Sequence, residues 1–123
     1  MKKKILIVDD NRLSLEIARQ TLEQAGYEVI TEETGEKGIE IIKRIKIDLV
    51  VLDLILPRLD GFGFLAICKS DPALQHIPVI VLTARDSQQE IEEAKGMGAL
   101  DCFVKYRMPP AKLREYIKLI LGQ

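Results

Sequence analysis

The sequence predicts an α/β fold: a doubly wound, five-stranded parallel sheet covered by five helices, in three layers. Five short apolar runs alternate with five amphipathic segments along the chain. Several runs are continuous in Ile, Val and Leu, which is typical of strands buried on both faces of a parallel sheet. No internal repeat, low-complexity tract or linker divides the sequence, so we expect residues 1–123 to form one domain.

The first half of the chain predicts two strand–helix pairs. Strands are expected at residues 4–8 and 27–31, where apolar β-formers cluster. Residues 12–25 predict a helix because apolar groups recur at helical spacing, at Leu13, Ile17, Thr21 (its methyl group), Leu22 and Ala25. Gly26 then stands where glycine commonly ends a helix. Residues 35–45 predict a second helix, whose apolar stripe is Ile39, Ile42 and Ile45.

Three more strands are predicted at residues 48–52, 79–82 and 102–104. A short third helix at residues 62–69 lies between the first two of them and ends before Asp71-Pro72, because proline cannot continue a helix. Ser87 and Glu90 have the spacing of a capping box, which predicts a fourth helix that ends near Gly96. Pro110 suits the first turn of a last helix, whose apolar stripe is Leu113, Tyr116, Ile117, Ile120 and Leu121.

The composition excludes several classes of function. The formal net charge of -1 gives no global attraction to nucleic acid or to an anionic membrane. No apolar run approaches the ~18 residues that span a bilayer. Cys68 and Cys102 lack the spacing of metal ligands, and without a secretory signal we expect reduced thiols. We therefore expect a cytoplasmic protein that binds neither nucleic acid nor membrane directly.

Acidic residues follow two of the predicted strands, and a lysine follows the last. Asp9 and Asp10 close the first apolar run, Asp53 closes the third, and Lys105 follows the fifth. The carboxyl ends of parallel strands share one edge of a sheet, so these residues should lie together with Thr83, which ends the fourth run. Carboxylate oxygens suit Mg²⁺, which also favours a phosphoryl oxygen as a partner. The pattern predicts a site for a divalent cation and a phosphoryl group, with Lys105 paired to Asp53 before reaction.

Six stretches of the sequence carry a resemblance to a known family. They are residues 5–11, 48–53, 57–61, 77–84, 98–99 and 103–105, which include the acidic pair, the strand-end residues and the Asp60-Gly61 turn. In this order and spacing they resemble the receiver domain of two-component response regulators over essentially the whole chain. The resemblance implies a flavodoxin-like sheet with the strand order 2-1-3-4-5.

The resemblance also implies a phosphoacceptor. Asp53 would take a phosphoryl group from a histidine kinase or a histidine phosphotransfer protein. Thr83 would be the switch hydroxyl that moves onto this group, and Lys105 would bind a phosphoryl oxygen. We expect a signalling domain rather than an enzyme, although it would support its own phosphoryl transfer and a slow self-dephosphorylation.

The metal that the resemblance implies is Mg²⁺, with Mn²⁺ as an alternative. Asp10 and Asp53 would bind the metal directly, together with the backbone carbonyl of Ile55. Asp9 would act mostly through water.

Phosphorylation would change a face made by the fourth helix, the last strand and the last helix. The switch and output residues expected on this face are Ile91, Ala94, Lys95, Cys102, Phe103, Tyr106 and Met108. We expect the face to bind a downstream output domain or protein, or a second copy of the chain.

The loop after Lys105 departs from the family. Receiver domains usually follow this lysine with a proline across a cis peptide, whereas Tyr106 stands here. A cis bond without proline costs about 2.5–4 kcal/mol, so we predict a trans Lys105–Tyr106 bond. The last helix also starts late, which indicates a one-residue insertion within residues 106–110.

A second departure lies three residues before the lysine. The family usually has a Tyr or Phe ring there that swings inward, but this chain has Cys102, whose thiol cannot fill the same volume. Phe103 should face the other side of the sheet, because neighbouring strand residues alternate. Tyr106 is therefore our candidate to replace the missing ring.

Two alternatives to a phosphoacceptor fit the residues to different degrees. A receiver-like interaction module that works without phosphorylation would fit the altered loop and the missing aromatic ring. An enzyme on the same architecture fits poorly: residues 9–13 are not the phosphate loop of a flavodoxin-like protein, and Ile55 stands where a haloacid-dehalogenase-type phosphatase needs a second aspartate. Ile55 and Arg85 should also flank the path of attacking water, so we expect a long-lived phosphoryl group.

Overall fold

Five parallel strands form the central sheet of this computed structural model, which describes residues 1–122. The strands are β1 Lys4–Val8, β2 Glu28–Glu32, β3 Leu49–Leu52, β4 Val79–Thr83 and β5 Asp101–Val104. Their spatial order is β2-β1-β3-β4-β5. This order confirms the predicted doubly wound fold and the strand order that the family resemblance implies.

Helices cover both faces of the sheet, which gives the three predicted layers. The α-helices of residues 1–122 are α1 Arg12–Gln24, α2 Gly35–Arg44, α3 Gly61–Ser70, α4 Gln88–Gly96 and α5 Pro110–Leu121. Strand residues alternate between two apolar clusters, since Leu6 packs with α2, α3 and α4 while Ile5 packs with α1 and α5. None of the helices among residues 1–122 is long and apolar enough to cross a membrane.

The predicted element bounds differ from the observed ones by about one residue. The largest strand shift is at β2, which was expected to start at Tyr27 and starts at Glu28. The N–H of Tyr27 donates to the carbonyl oxygen of Leu22 at 3.2 Å, so Tyr27 belongs to the end of α1 rather than to the strand. Gly26 has a φ of +99°, as expected for the residue that ends α1.

The apolar stripe predicted for α1 is partly wrong. Leu13 and Ile17 are 71% and 44% exposed, whereas Leu15, Ala18 and Leu22 form the buried stripe. Both sets have helical spacing, and the rotation of the helix against the sheet decides between them. The helix is therefore predicted correctly, but Leu13 and Ile17 on its exposed side are wrongly predicted to be buried.

The predicted capping box at the start of α4 is half formed. Ser87 Oγ accepts a hydrogen bond from the N–H of Glu90 at 3.3 Å. The carboxylate of Glu90 instead accepts from Arg85 Nη1 at 2.7 Å. Ser87 therefore caps the helix, while Glu90 holds the loop that precedes it.

The register of the strands sets the position of the residues that follow them. Val8 pairs with Leu52 across β1 and β3, and Thr83 pairs with Val104 across β4 and β5. These two pairs of strands therefore end level, whereas β4 extends two residues beyond Val81, the partner of Leu52 in β3. The residues directly beyond them share the carboxyl edge of the sheet.

Gly61, the first residue of α3, packs against the backbone that carries Asp53. A Cβ at Gly61 would lie 2.6 Å from the Cα of Leu54 and 2.7 Å from the carbonyl oxygen of Asp53. Because these are backbone atoms, they can relieve the clash only by moving the chain. We predict that Gly61→Ala lowers the free energy of unfolding by about 1–3 kcal/mol in urea denaturation.

Gly96→Ala is the matched control for this prediction. No atom lies within 4 Å of a Cβ built at Gly96, so this substitution should be neutral or stabilising by up to about 1 kcal/mol. Equal stability of the two variants would contradict the close packing of Gly61.

Candidate functional site

Three carboxylates meet at the carboxyl edge of the sheet. Asp9 and Asp10 directly follow β1, and Asp53 directly follows β3, its neighbour in the sheet. One oxygen of each carboxylate lies within 4.8 Å of the other two. The residues thus come together as their positions at strand ends predict. Such a set of hard oxygen donors can hold a divalent cation.

Backbone N–H groups orient the two buried carboxylates. The side chains of Asp9 and Asp53 are 7% and 6% exposed. Asp9 Oδ1 accepts from the N–H of Asn11 at 2.9 Å, and Asp53 Oδ1 accepts from the N–H of Ile55 at 3.1 Å. Each turn therefore fixes one oxygen of its carboxylate. Asp10, in contrast, is exposed to solvent.

Lys105 bridges the two buried carboxylates. Its Nζ donates to Asp53 Oδ2 at 3.0 Å and to Asp9 Oδ2 at 2.7 Å. The pairing with Asp53 was expected from the sequence, but the shorter contact with Asp9 was not. The strand register accounts for it, since Asp9 and Asp53 follow the paired residues Val8 and Leu52. One ammonium group therefore offsets two buried negative charges.

The charges of the site shift the pKa values of its groups. Burial raises the pKa of Asp53, and Asp9 adds to this effect, while the N–H of Ile55 and Lys105 partly oppose it. Burial alone would lower the pKa of Lys105, but hydrogen bonds and attraction from Asp9 and Asp53 outweigh it and raise that pKa. Lys105 therefore stays cationic, and the ionised form of Asp53 is under electrostatic stress that a bound cation would relieve.

Thr83 lies at the same edge, and its hydroxyl is hydrogen-bonded to the loop that follows β4. It ends β4 and is fully buried. Its Oγ1 accepts a hydrogen bond from the N–H of Arg85 at 3.2 Å. A hydroxyl can accept one hydrogen bond while it donates another. Thr83 therefore keeps a donor available for a group bound at the edge.

Comparisons with known proteins agree with this geometry. The response regulator receiver domain family matches residues 5–118. The chain belongs to this family. It is 31% identical to the polar-differentiation response regulator DivK of Brucella anthropi over 99% of this chain and 98% of that protein. In this receiver domain, the acidic edge carries Asp9, Asp10 and Asp53.

Solved structures show the same likeness. A CheY-like response regulator receiver domain protein from Methanospirillum hungatei superposes with a TM-score of 0.89 at 30% identity, covering 99% of this chain and 95% of that one. The phosphorylated cyanobacterial phytochrome response regulator RcpA superposes with a TM-score of 0.81 at 29% identity, covering 98% and 91%.

The loop after Lys105 has the predicted trans peptide. The Lys105–Tyr106 bond is trans, and residues Lys105–Arg107 form a short 3-10 helix before α5 begins at Pro110. The 3-10 turn was not predicted. It occupies part of the segment in which the sequence indicates an inserted residue.

Tyr106 does not occupy the interior place suggested for it. Its side chain is 67% exposed, and its hydroxyl donates to Asp86 Oδ2 at 2.6 Å on the outside of the domain. Cys102 and Phe103 face opposite sides of the sheet as predicted, because they belong to different apolar clusters. In this structure, therefore, neither aromatic residue near Lys105 replaces the missing ring.

Two residues predicted for the output face lie in the core instead. Ala94 is fully buried on the inner side of α4, and Cys102 is 6% exposed. Small side chains on the inner side of α4 and β5 are needed for the helix to approach the sheet. Ile91, Phe103 and Met108 are half-buried and Lys95 and Tyr106 are exposed, so these five of the seven predicted residues remain accessible.

We predict that Lys105→Met lowers the free energy of unfolding at pH 7 by about 1–3 kcal/mol, because it leaves two buried carboxylates without a counter-charge. The folded-state pKa of Asp53 lies above its ordinary value of 3.8. When the pKa of a carboxyl group is raised in the folded state, ionisation of that group destabilises the folded state. This destabilisation is absent below pH 3.8 and grows as the pH rises. The variant should therefore lose less stability at pH 4 than at pH 7 in urea denaturation.

Lys43→Met is the matched control, since Lys43 is exposed on the last turn of α2. It should change the stability by no more than about 0.5 kcal/mol at either pH. A loss for Lys105→Met that grew on acidification would contradict the electrostatic description of the site.

Proposed function

We propose that this receiver domain accepts a phosphoryl group on Asp53 from a histidine kinase or a histidine phosphotransfer protein, in a metal-dependent reaction. The observation that carries the proposal is the bridge from Lys105 to Asp53 and Asp9, with Asp10 beside it. A structural relative, RcpA, was solved in a phosphorylated form. The domain would be a signalling phosphoacceptor and not an enzyme that acts on a separate substrate.

The transfer would make Asp53 the nucleophile. A carboxylate oxygen would form a bond to the phosphorus as the bond from phosphorus to the donor imidazole breaks, and the imidazole nitrogen would keep that electron pair. Phosphoryl transfer depends mainly on positioning and charge neutralisation. The N–H of Ile55 holds Asp53 Oδ1, and the ammonium group of Lys105 lies 3.0 Å from Oδ2. This fixed carboxylate supports an in-line attack.

The donor set fits Mg²⁺, with Mn²⁺ as an alternative. Asp10 and Asp53 would bind the metal directly, Asp9 through water, and the backbone carbonyl of Ile55 would be a further ligand. Bound there, the metal would supply positive charge for the carboxylates and for the incoming phosphoryl oxygens. The raised pKa of Asp53 supports this proposal, because burial disfavours the charged carboxylate and a bound cation would offset that effect.

Phosphorylation would act as a population shift. The new group adds negative charge and acceptor oxygens, which would attract the hydroxyl of Thr83 and the ammonium group of Lys105. Both residues connect directly to α4 or α5 through short loops. The output face would consist of the accessible members Ile91, Phe103 and Tyr106, together with Lys95 and Met108. It would bind a downstream output domain or protein, or a second copy of the chain.

An apolar groove beside Lys105 offers a place for the phosphodonor protein. The groove has a volume of about 350 Å³, and its lining includes Leu13, Ile17, Met108 and Pro109. The donor must bring its phosphorylated histidine to Asp53, and the groove shares Lys105 with that site. Exposed apolar side chains at this place are therefore assigned to the donor surface.

The two thiols agree with action in the cytoplasm. Cys68 and Cys102 are both free and buried, and burial raises the pKa of each to about 11. Thiols of this kind pack as small apolar groups and are unreactive. We propose a cytoplasmic location on this basis and on that of the proposed partners.

A receiver-like interaction module without phosphorylation is the second candidate. The observation that favours it is the outward position of Tyr106, whose side chain is 67% exposed and bound to Asp86 rather than packed in the interior. The complete acidic edge and the bridging lysine favour the phosphoacceptor. The following experiment separates the two.

We predict that the protein gains the mass of one phosphoryl group when it is incubated with acetyl phosphate and Mg²⁺, as measured by intact-protein mass spectrometry. Removal of the metal with a chelator should abolish the gain. Asp53→Asn should show no gain, because an amide oxygen is a poor nucleophile. Asp60→Asn is the matched control and should behave like the unmodified protein, since asparagine preserves the cap that Asp60 forms on α3.

A phosphoryl group on any residue of the Asp53→Asn variant, or no gain in the unmodified protein, would refute the proposal. After removal of acetyl phosphate, the added mass should decay slowly, because Ile55 lies beside Asp53 with 40% of its surface exposed on the solvent side. A rapid loss in the presence of Mg²⁺ would contradict this part alone.

A further inference from the structure

The loop between β4 and α4 is held by a polar contact at each of three consecutive residues. The N–H of Arg85 donates to Thr83 Oγ1 at 3.2 Å, and its guanidinium group donates to Glu90 at 2.7 Å. Ser87 caps α4 through the N–H of Glu90 at 3.3 Å. Between them lies Asp86, whose contacts leave the loop altogether. The loop thus connects the switch hydroxyl at one end to α4 at the other.

Asp86 joins this loop to the turn that carries Lys105. Its Oδ2 accepts hydrogen bonds from the hydroxyl of Tyr106 at 2.6 Å and from Arg107 Nη2 at 2.8 Å. The guanidinium carbon of Arg107 lies 5.2 Å from the centre of the Tyr106 ring, within the range of a cation–π contact. We call Asp86, Tyr106 and Arg107 the Asp86 latch.

The latch links the two residues that would bind the phosphoryl group. Asp86 is three residues beyond Thr83 in the chain, and Tyr106 directly follows Lys105. The hydrogen bond from the N–H of Arg85 to Thr83 Oγ1 ties the loop after β4 to Thr83. The bonds from Lys105 to Asp9 and Asp53 hold the turn after β5. If the loop after β4 shifts with Thr83 relative to the turn of Lys105, the contacts of Asp86 are stretched or broken.

We propose that Asp86 is a positioning residue that holds Thr83 in the unphosphorylated arrangement through Tyr106 and Arg107. This inference rests on the proposed function. Lys105 already contacts Asp53, so its turn can stay in place when a phosphoryl group arrives. Thr83 is the group that has to move towards Asp53, and its loop would have to move with it. The latch opposes that movement and so favours the inactive population.

The expected size of the effect follows from the exposure of the latch. The side chains of Asp86 and Arg107 are 45% and 60% exposed, so each contact by itself is weak. Two donors on one carboxylate oxygen act together, however, and tie positions twenty residues apart in the chain. We expect loss of the latch to shift the equilibrium about threefold to tenfold.

The test compares Asp86→Ala and Tyr106→Phe with the unmodified protein. Tyr106→Phe removes only the hydroxyl group and keeps the ring. The affinity for the phosphoryl mimic beryllium trifluoride in the presence of Mg²⁺ is measured by titration, with backbone amide NMR signals as the readout. Both variants should bind about threefold to tenfold more tightly. The double variant should gain less than the product of the two single gains, because both act on one contact.

Glu23→Gln is the matched control. Glu23 also accepts from an arginine on the surface, Arg19 Nη1 at 2.6 Å, but on the last turn of α1. Its substitution should leave the affinity unchanged. This control separates the latch from a general effect of removing a surface negative charge.

A second readout needs neither metal nor mimic. Without the latch, hydrogen exchange of the Arg85 amide should become faster in both variants, since this amide is the one bound to Thr83. Unchanged or weaker binding of the mimic in either variant, or unchanged exchange of the Arg85 amide, would overturn the latch. Failure of the unmodified protein to bind the mimic would instead refute the proposed function, and the switching role of Asp86 with it.

Discussion

The structure depends on how two buried carboxylates at one sheet edge share one ammonium group. Asp9 and Asp53 are both about 5% exposed and lie close enough to repel each other. Lys105 reaches them from β5, although β4 lies between β5 and β3 in the sheet. The contact requires the strand order, the level strand ends and a turn that directs the lysine back over the edge. The position of Lys105, and with it the charge balance of the site, therefore depends on the packing of the sheet.

The same contacts determine how the site would respond to a phosphoryl group. Burial favours the neutral form of Asp53, whereas Lys105 and the N–H of Ile55 favour the carboxylate. A phosphoryl group would place new negative charge where the ammonium group already lies. On this proposal the Lys105 side would rearrange little, and most of the movement would fall to Thr83 and its loop. That loop also contains Asp86, which contacts Tyr106 and Arg107.

The sequence predicted the fold and the position of the site well because both follow from local patterns. Apolar runs buried on two faces predict parallel strands, and the polar residue that ends each run must lie at the common edge. The exposed side of α1 was assigned wrongly because Leu13 and Leu15 both fit a helical stripe, and only packing on the sheet decides between them. Ala94 was placed on the surface for the same reason, since the sequence does not give the rotation of α4.

Contacts between distant loops could not be predicted from single positions. Asp86 and Tyr106 are twenty residues apart, and nothing local pairs them. Their contact depends on the 3-10 turn of Lys105–Arg107, which in turn depends on a loop that departs from the family at Tyr106. The bond between Lys105 and Asp9 was missed because the turn at Asn11 decides which of two adjacent aspartates points inward. Each of these contacts depends on how distant segments of the chain pack together, which residue type alone does not show.

The most direct measurement is a crystal structure of the protein with Mg²⁺ and beryllium trifluoride. We expect the mimic on Asp53, the metal in contact with Asp10, and fluorine atoms within hydrogen-bond distance of Thr83 Oγ1 and Lys105 Nζ. A mimic bound elsewhere, or one bound at Asp53 while Thr83 Oγ1 keeps only its present contact with the N–H of Arg85, would contradict the assignment of this edge as a phosphoryl switch.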